Sequence, residues 1–483
     1  MPAVGAGNIL PGMSLSVRTL GGPRPLPLVG NLPELTRGNR LHRVLTDWAD
    51  TYGPTYRFRM GRTDVVGTAD PAHLDVALRR RPDDFRRARR MAEVLEELAP
   101  HGVFTAEGKQ WRRLRHVATQ SLNAAYLRQY FATITRVTER LLGRWEAAAA
   151  AGARVDVLDS MLRFTLDVTA GLAMGVDLNA LEDDGTGLPS RMATLFPAIA
   201  DRLFAPFPYW RYAKLPRDRR LAETLDEFAA VVREHFALAR DRVNLGRPPS
   251  NFLEALVRPL ENEPELTDEE VVSNMLTMLV AGEDTTSSLI AWSLHFVAEN
   301  PDVQERLRAE ADEVLGSRRT PDDPPMVGRL KYAAAVVQEA QRMCPVAPYL
   351  IVEPTRDLTL TGQDRRELFL PAGQQIFLLN TYGALRDVER FPDPYAFRPQ
   401  RWLDAEPTAE TFPFAPFGGG PRFCPGRNLA LLEAGVVVSV LAREMELVPD
   451  RSSGPVGEKA AFTVFPTNLF LRPRSRETRP ARG

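Results

Sequence analysis

The stretch Phe417-Gly418-Gly419-Gly420-Pro421-Arg422-Phe423-Cys424-Pro425-Gly426 decides how the rest of the chain is read. A free cysteine on its own behaves as a small hydrophobe and belongs in a core. The setting of Cys424 argues otherwise. The glycines let backbone come close to something flat, the prolines stiffen the loop, and a long apolar helix is predicted from Arg427 to about Glu444. The N-terminal end of that helix favours negative charge, which places the sulfur as a thiolate and a metal ligand. Cys344 is the only other cysteine, and the 6 histidines (His42, His73, His101, His116, His235 and His295) are too dispersed for a local zinc motif. A metal held by one protein ligand must arrive with its other ligands attached, which means haem.

Working outward, the next informative stretch is a long helix. Thr267 with Glu270 forms a capping box and Asn300-Pro301 closes the segment, predicting a helix over 268–300 of about 33 residues and roughly 50 Å. Its middle breaks the apolar pattern: Ala281-Gly282-Glu283-Asp284-Thr285-Thr286 follows Met275 to Val280, and apolar character resumes at Leu289-Ile290. Glycine costs about 1 kcal/mol there relative to alanine, and buried acids and alcohols cost more unless partnered. Thr285 can bond back to the carbonyl four residues earlier, and Gly282 can serve packing. The same group also offers exposed backbone, an acid and an alcohol beside one flat cofactor, which is what proton delivery needs.

The remaining chain reads as mainly α with a small β region. A helix-like stretch and a strand at Thr55 to Met60 lie between 39 and 66, helical patterns dominate the 250 residues or so beyond Pro71, and strand signals return at 357–360, 375–378 and 461–471. No internal repeat and no long linker interrupts it. The arginines at 79–81, 86, 87, 89 and 90, offset by Asp83 and Asp84, read as a solvated face.

Composition narrows the function classes. The 483 residues carry 62 acidic against 61 basic side chains, net −1, which argues against a nucleic-acid or anionic-membrane binder. An apolar fraction of 44% with 25% charged residues is that of a folded globular protein. Glycines and prolines in the first thirty residues interrupt every run before the ~20 apolar residues of a membrane span, so a cytoplasmic protein is expected. Arginine far outnumbers lysine, as in a GC-rich bacterial genome.

The loop around Cys424 resembles the haem-binding signature of the cytochrome P450 family, Phe-x-x-Gly-x-Arg-x-Cys-x-Gly, and matches it at Phe417, Gly420, Arg422, Cys424 and Gly426. Further family motifs occur in family order: Trp-x-x-x-Arg at Trp111 and Arg115, Ala/Gly-Gly-x-Asp/Glu-Thr at Ala281, Gly282, Asp284 and Thr285, Glu-x-x-Arg at Glu339 and Arg342, and Phe-x-Pro-x-Arg at Phe397, Pro399 and Arg401. The resemblance, closest to the soluble bacterial type, implies one catalytic domain over 1–483, with a flexible start over 1–20 and a polar tail over 473–483. It implies the P450 fold, with haem b between the long central helix and the cysteine loop.

By the same resemblance, Cys424 is the iron ligand, and Trp111, Arg115, Arg422, Phe417 and Gly282 contact the cofactor. Asp284 and Thr285 relay protons, while Glu339, Arg342 and Arg401 form a structural cluster. One departure stands out: where the family often has an arginine for a haem propionate, this chain has Val352 followed by Glu353. The implied reaction inserts one atom of O2 into an apolar small molecule near Met278, Ala281, Leu350, Ile351, Phe462 and Val464. Electrons are expected from NAD(P)H through a separate ferredoxin or flavodoxin type donor with its reductase, docking near Arg112 and Arg113, since only polar residues follow Leu471. Two other readings stay open, a haem-thiolate peroxygenase or peroxide isomerase and a non-catalytic haem sensor.

Overall fold

A computed structural model describes residues 15–97, 102–122, 124–182, 198, 201–203, 205, 208–261, 266–404, 414–461 and 463–476. Contacts divide the chain into two compact units. The first takes Met1–Met91, Pro348–Pro392 and Glu410–Phe423, and the second takes Ala92–Ala347, Asp393–Ala409 and Cys424–Gly483. Phe462, expected beside the substrate, lies outside the described residues.

The first unit is built on a five-stranded sheet in the order Thr55–Met60, Thr63–Thr68, Ile376–Leu378, Leu350–Pro354, Phe85–Arg87. The first two strands form the hairpin that alternation predicts, and Ile376–Leu378 joins Thr63–Thr68 in parallel. Phe85–Arg87 closes the edge antiparallel to Leu350–Pro354, with Arg87 directly opposite Val352. Val66, Phe85, Val352, Ile376 and Leu378 bury one face with Leu74 and Leu78 of the Pro71–Arg79 helix. That helix starts cleanly because Pro71 needs no N–H partner and the Asp70 carboxylate accepts from the Ala72 N–H at 2.9 Å. The arginine run is not a uniformly solvated face: Arg81 and Arg87 are 5% and 8% exposed, and Arg86 pairs with Glu353 at 2.7 Å. Register causes this, since a strand seating Phe85 in the core also fixes where its neighbours point.

The second unit is helical. Its axis is the helix Asp268–Glu299, capped as expected by Thr267 and Glu270 and followed at once by the helix from Pro301. Around it pack Val157–Met174, Lys331–Met343 and Arg427–Glu444, sharing a core that includes Phe164, Met275, Leu279, Ile290, Val336 and Val437. The cysteine helix has the predicted bounds, Arg427–Glu444. A short hairpin, Gly457–Ala460 with Val464–Thr467, also contacts the long helix.

Candidate active site

Buried side chains fix the Lys331–Met343 helix, which packs on the helix that follows the cysteine. Glu339 and Arg342, both fully buried, form a bidentate pair at 2.8 and 2.9 Å. Arg401 Nε adds a third contact at 3.0 Å, the Arg398 N–H a fourth at 2.9 Å, and Trp402 Nε1 a fifth at 2.8 Å. Burial alone would raise the Glu339 pKa, yet the Arg342 hydrogen bonds and charge, with the other donors, hold it below the ordinary carboxylate value. This pair is therefore a buried one and not a solvated surface pair. Trp402 escaped the sequence reading, although it directly follows Arg401.

Cys424 begins the second unit's share of the signature. Arg115, on the helix Gly108–Ser121, acts electrostatically on its sulfur. Trp111 on the same helix is buried with Ala106 and Leu114, while Arg112 is exposed. That helix is tied to the long helix by Gln110 Nε2 to Glu270 Oε1 at 2.7 Å, and the preceding loop by the Val103 N–H to Asn274 Oδ1 at 2.9 Å. Burial pushes the Cys424 thiol up, and the Gly426 N–H, Arg115 and the Arg427 N–H only partly offset it. A bound metal cation is the agent able to hold it deprotonated.

Phe417 and Arg422 belong to the first unit, and both are half-buried. The glycines before the cysteine do different jobs. A side chain on Gly420 would meet the Leu78 carbonyl oxygen at 2.2 Å, so this residue allows backbone to approach backbone. Gly418, at φ +74°, has nothing within 4 Å of its Cβ position and is open on that side.

The long helix carries the polar group. It is buried from Val271 to Thr277 and again from Thr286 to Leu294, yet Ala281 is exposed and Met278, Val280, Gly282, Asp284 and Thr285 are half-buried. An otherwise buried helix therefore keeps an open face in its middle. The Thr285 hydroxyl donates to the Ala281 carbonyl at 2.8 Å. Gly282 turns its Cβ position toward Thr169, at 3.4 and 3.5 Å, an ordinary van der Waals separation. Burial raises the Asp284 carboxyl to about 6, with a hydrogen bond from Thr463 pulling the other way. Glu283, passed over in the sequence, is buried and raised to about 8 by burial and then by the Asp284 charge. Val464 is buried, while Leu350 and Ile351 lie on a strand of the first unit.

A single soft thiolate next to a cation, with an open helix face in the same unit, fits a flat metal cofactor that brings its own ligands. Among the described residues no three His, Cys, Asp or Glu side chains gather to hold a bare ion. Comparison with known proteins agrees with this donor set. The family described as Cytochrome P450 matches residues 20–471. The chain belongs to the cytochrome P450 family. A self-sufficient cytochrome P450 monooxygenase of Aspergillus terreus is 28% identical over 96% of this chain and 43% of its own length. A self-sufficient counterpart from Aspergillus niger is also 28% identical, over 96% and 42%. The chloroplastic LUTEIN DEFICIENT 5 protein of Arabidopsis thaliana is 27% identical over 89% of this chain and 73% of its own length. The chain thus spans less than half the length of the fungal relatives. Among the described residues, no helix is long and apolar enough to cross a membrane.

Arg87, buried, lies directly opposite Val352 on the neighbouring strand. A cross-strand partner of this kind is invisible until the pairing is known.

Proposed function

We propose that the chain is a haem-thiolate monooxygenase that inserts one atom of O2 into an apolar small molecule, by hydroxylation or epoxidation. The observation that carries the reading is the open stretch of the long helix. It presents Asp284 and Thr285 in the same unit that holds Cys424 against Arg115. Haem b would be held by Cys424 as ligand, with Trp111 and Arg115 as cofactor contacts and Arg422 and Phe417 assigned by the sequence match. Bound in this way, the haem supplies dioxygen binding and reductive cleavage of the O–O bond.

The chain's own residues supply the rest. Asp284, with a carboxyl near 6, exchanges a proton at neutral pH, which an ordinary exposed aspartate does not do efficiently. The Thr285 hydroxyl keeps a lone pair free while it donates to Ala281, so it is placed to accept and pass a proton. The apolar side chain of Met278 lies on the same stretch and favours an apolar substrate. Electrons come from NAD(P)H through a ferredoxin or flavodoxin type donor and its reductase, with Arg112 as an exposed docking cation. The self-sufficient naming of the fungal relatives makes a fused donor the competing arrangement.

The test combines two measurements. A compound library is screened for a spin-state change in the haem spectrum, and a responding compound is turned over with NADH, redox proteins and isotopically labelled O2. One labelled oxygen atom in the product supports the proposal. Product formed only from added peroxide identifies a peroxygenase, and spectral binding without any product identifies a carrier or sensor.

A further inference from the structure

Thr463 was not singled out by any motif, and it lies 179 positions from the acid it touches. Its hydroxyl donates a hydrogen bond to Asp284 Oδ2. Thr463 is 2% exposed, and backbone bonds fix it on both sides. The Ala461 N–H donates to its carbonyl at 2.9 Å, and the Val464 N–H donates to the Val346 carbonyl at 2.8 Å. The hydroxyl is thus held by the turn of the Gly457–Thr467 hairpin and by the segment that follows the Glu-x-x-Arg helix. A donor so constrained does more than satisfy a buried acid, because it selects the direction in which that carboxyl points.

We propose that Thr463 is a positioning residue for Asp284, holding its carboxyl toward the hairpin and setting its charge state, so that hairpin position and proton delivery are linked. The inference rests on the monooxygenase reading for its consequence, but its physical core does not. Donation to a carboxylate favours the ionised form. Burial is the dominant influence on Asp284, and Thr463 is the group that opposes it. Of the ionisable groups around this stretch, Glu283 on the same helix is coupled to Asp284. Glu433 of the cysteine helix is governed by burial alone, and Glu339 is locked to Arg342. The Val157–Met174 helix presents neutral groups here, since Thr165 donates to the Glu283 carbonyl at 3.1 Å and Thr169 faces Gly282. Glu458 and Lys459 lie on the first hairpin strand, before the turn.

The hairpin and the acid then form a linked pair. With Thr463 seated, Asp284 is mostly ionised at pH 7 and ready to take a proton. Displacing the turn removes the donor, and the acid binds a proton instead. By reciprocity, protonating Asp284 loosens the hairpin.

The experiment titrates the Asp284 carboxyl in the haem-loaded, substrate-free protein by infrared difference spectroscopy, with the band assigned through its loss in Asp284→Asn. In the wild type the midpoint falls near 6. In Thr463→Val, the isosteric change that removes the donor, it is expected to rise to about 7, a tenfold change in proton affinity. Thr463→Ser should restore the wild-type midpoint, and Thr463→Ala serves where the valine variant folds poorly. The pH profile of peroxide released per NADH should move with the midpoint, and Thr463→Val should add nothing in an Asp284→Asn background. An unchanged midpoint in both the valine and alanine variants overturns the inference. So does an equal loss of coupling from Thr463→Val with and without the Asp284 carboxyl, which would mark a packing role. The infrared midpoint is read without turnover, so failure of the monooxygenase reading leaves this result standing on its own.

Discussion

Replacing Glu339 by Gln tests whether the buried cluster on the Lys331–Met343 helix is held by charge. The two carboxylate oxygens receive the Arg342 Nε and Nη2, Arg401 Nε, Trp402 Nε1 and Arg398 N–H donors at 2.8 to 3.0 Å. Glutamine keeps the shape and one accepting oxygen, but its NH2 faces donors and the charge is gone. Arg342, at 0% exposure, loses this carboxylate and keeps the Pro394 carbonyl at 2.7 Å, the Ala396 carbonyl at 3.3 Å and the Met343 sulfur at 3.0 Å among its acceptors. Breaking one side of a buried pair costs about 3–5 kcal/mol, against ~0–1 for an exposed pair. The glutamine oxygen still accepts from one guanidinium, so the lower end, about 3 kcal/mol, is expected. Urea unfolding at fixed haem loading measures it, at pH 7 and on acidification. Because the folded Glu339 pKa lies below its ordinary value of 4.5, its contribution is present above that value and is lost as pH falls through the folded one. The wild-type advantage should therefore shrink in acid. A Glu339→Gln penalty under about 1 kcal/mol at pH 7, with an unchanged denaturant slope, would refute the argument, because the pair would then behave as a surface pair.

Three further outcomes are expected. Cys424→Ser should abolish the red-shifted carbon monoxide spectrum of the reduced protein while Cys344→Ala keeps it, and a retained spectrum in the first variant would place the ligand elsewhere. Thr285→Ala removes a hydroxyl that, among the described residues, bonds only to its own helix, so folding and haem content should stay near wild type while product per NADH falls several-fold and peroxide rises; full coupling would make the hydroxyl a packing group. Glu433 is raised by burial from 4.5 to about 8, so its stabilising contribution is whole below 4.5 and fades as pH rises toward 8. Glu433→Gln should flatten that alkaline fall and raise stability at pH 8 by about 1–3 kcal/mol, which thermal melts across the range would show.

What was legible in the sequence was local or carried by a complete motif. The capping box and closing proline gave the long helix to within a residue, since both signals act over one turn. The cysteine helix was equally plain. The relations across strands and between distant segments were not legible. Arg87 meets Val352 only through the register of a short edge strand, and Thr463 meets Asp284 only because a hairpin turn reaches the long helix. The glycines before Cys424 look equivalent in sequence, yet Gly420 serves a close approach to Leu78 while Gly418 stands open.

The same limit governs the acids, and it separates scaffold from chemistry. Glu283, Glu339 and Glu433 are 4%, 0% and 2% exposed, and each sits on an apolar helix, so composition and burial alone would treat them alike. Five donors converge on Glu339 and lock it charged, whereas Glu433 Oε2 has no hydrogen-bond partner among the described residues, and both Glu283 and Glu433 are pushed to about 8. Asp284 falls between them because one hydroxyl opposes its burial. Glu283 and Glu433, at about 8, and Asp284, at about 6, lie equally far from pH 7, so proton affinity alone does not select a carrier among them. What separates Asp284 is its place: it is half-buried on the open stretch of the long helix with a donor from Thr463, whereas Glu283 and Glu433 are buried and Glu339 is a strut locked by five donors.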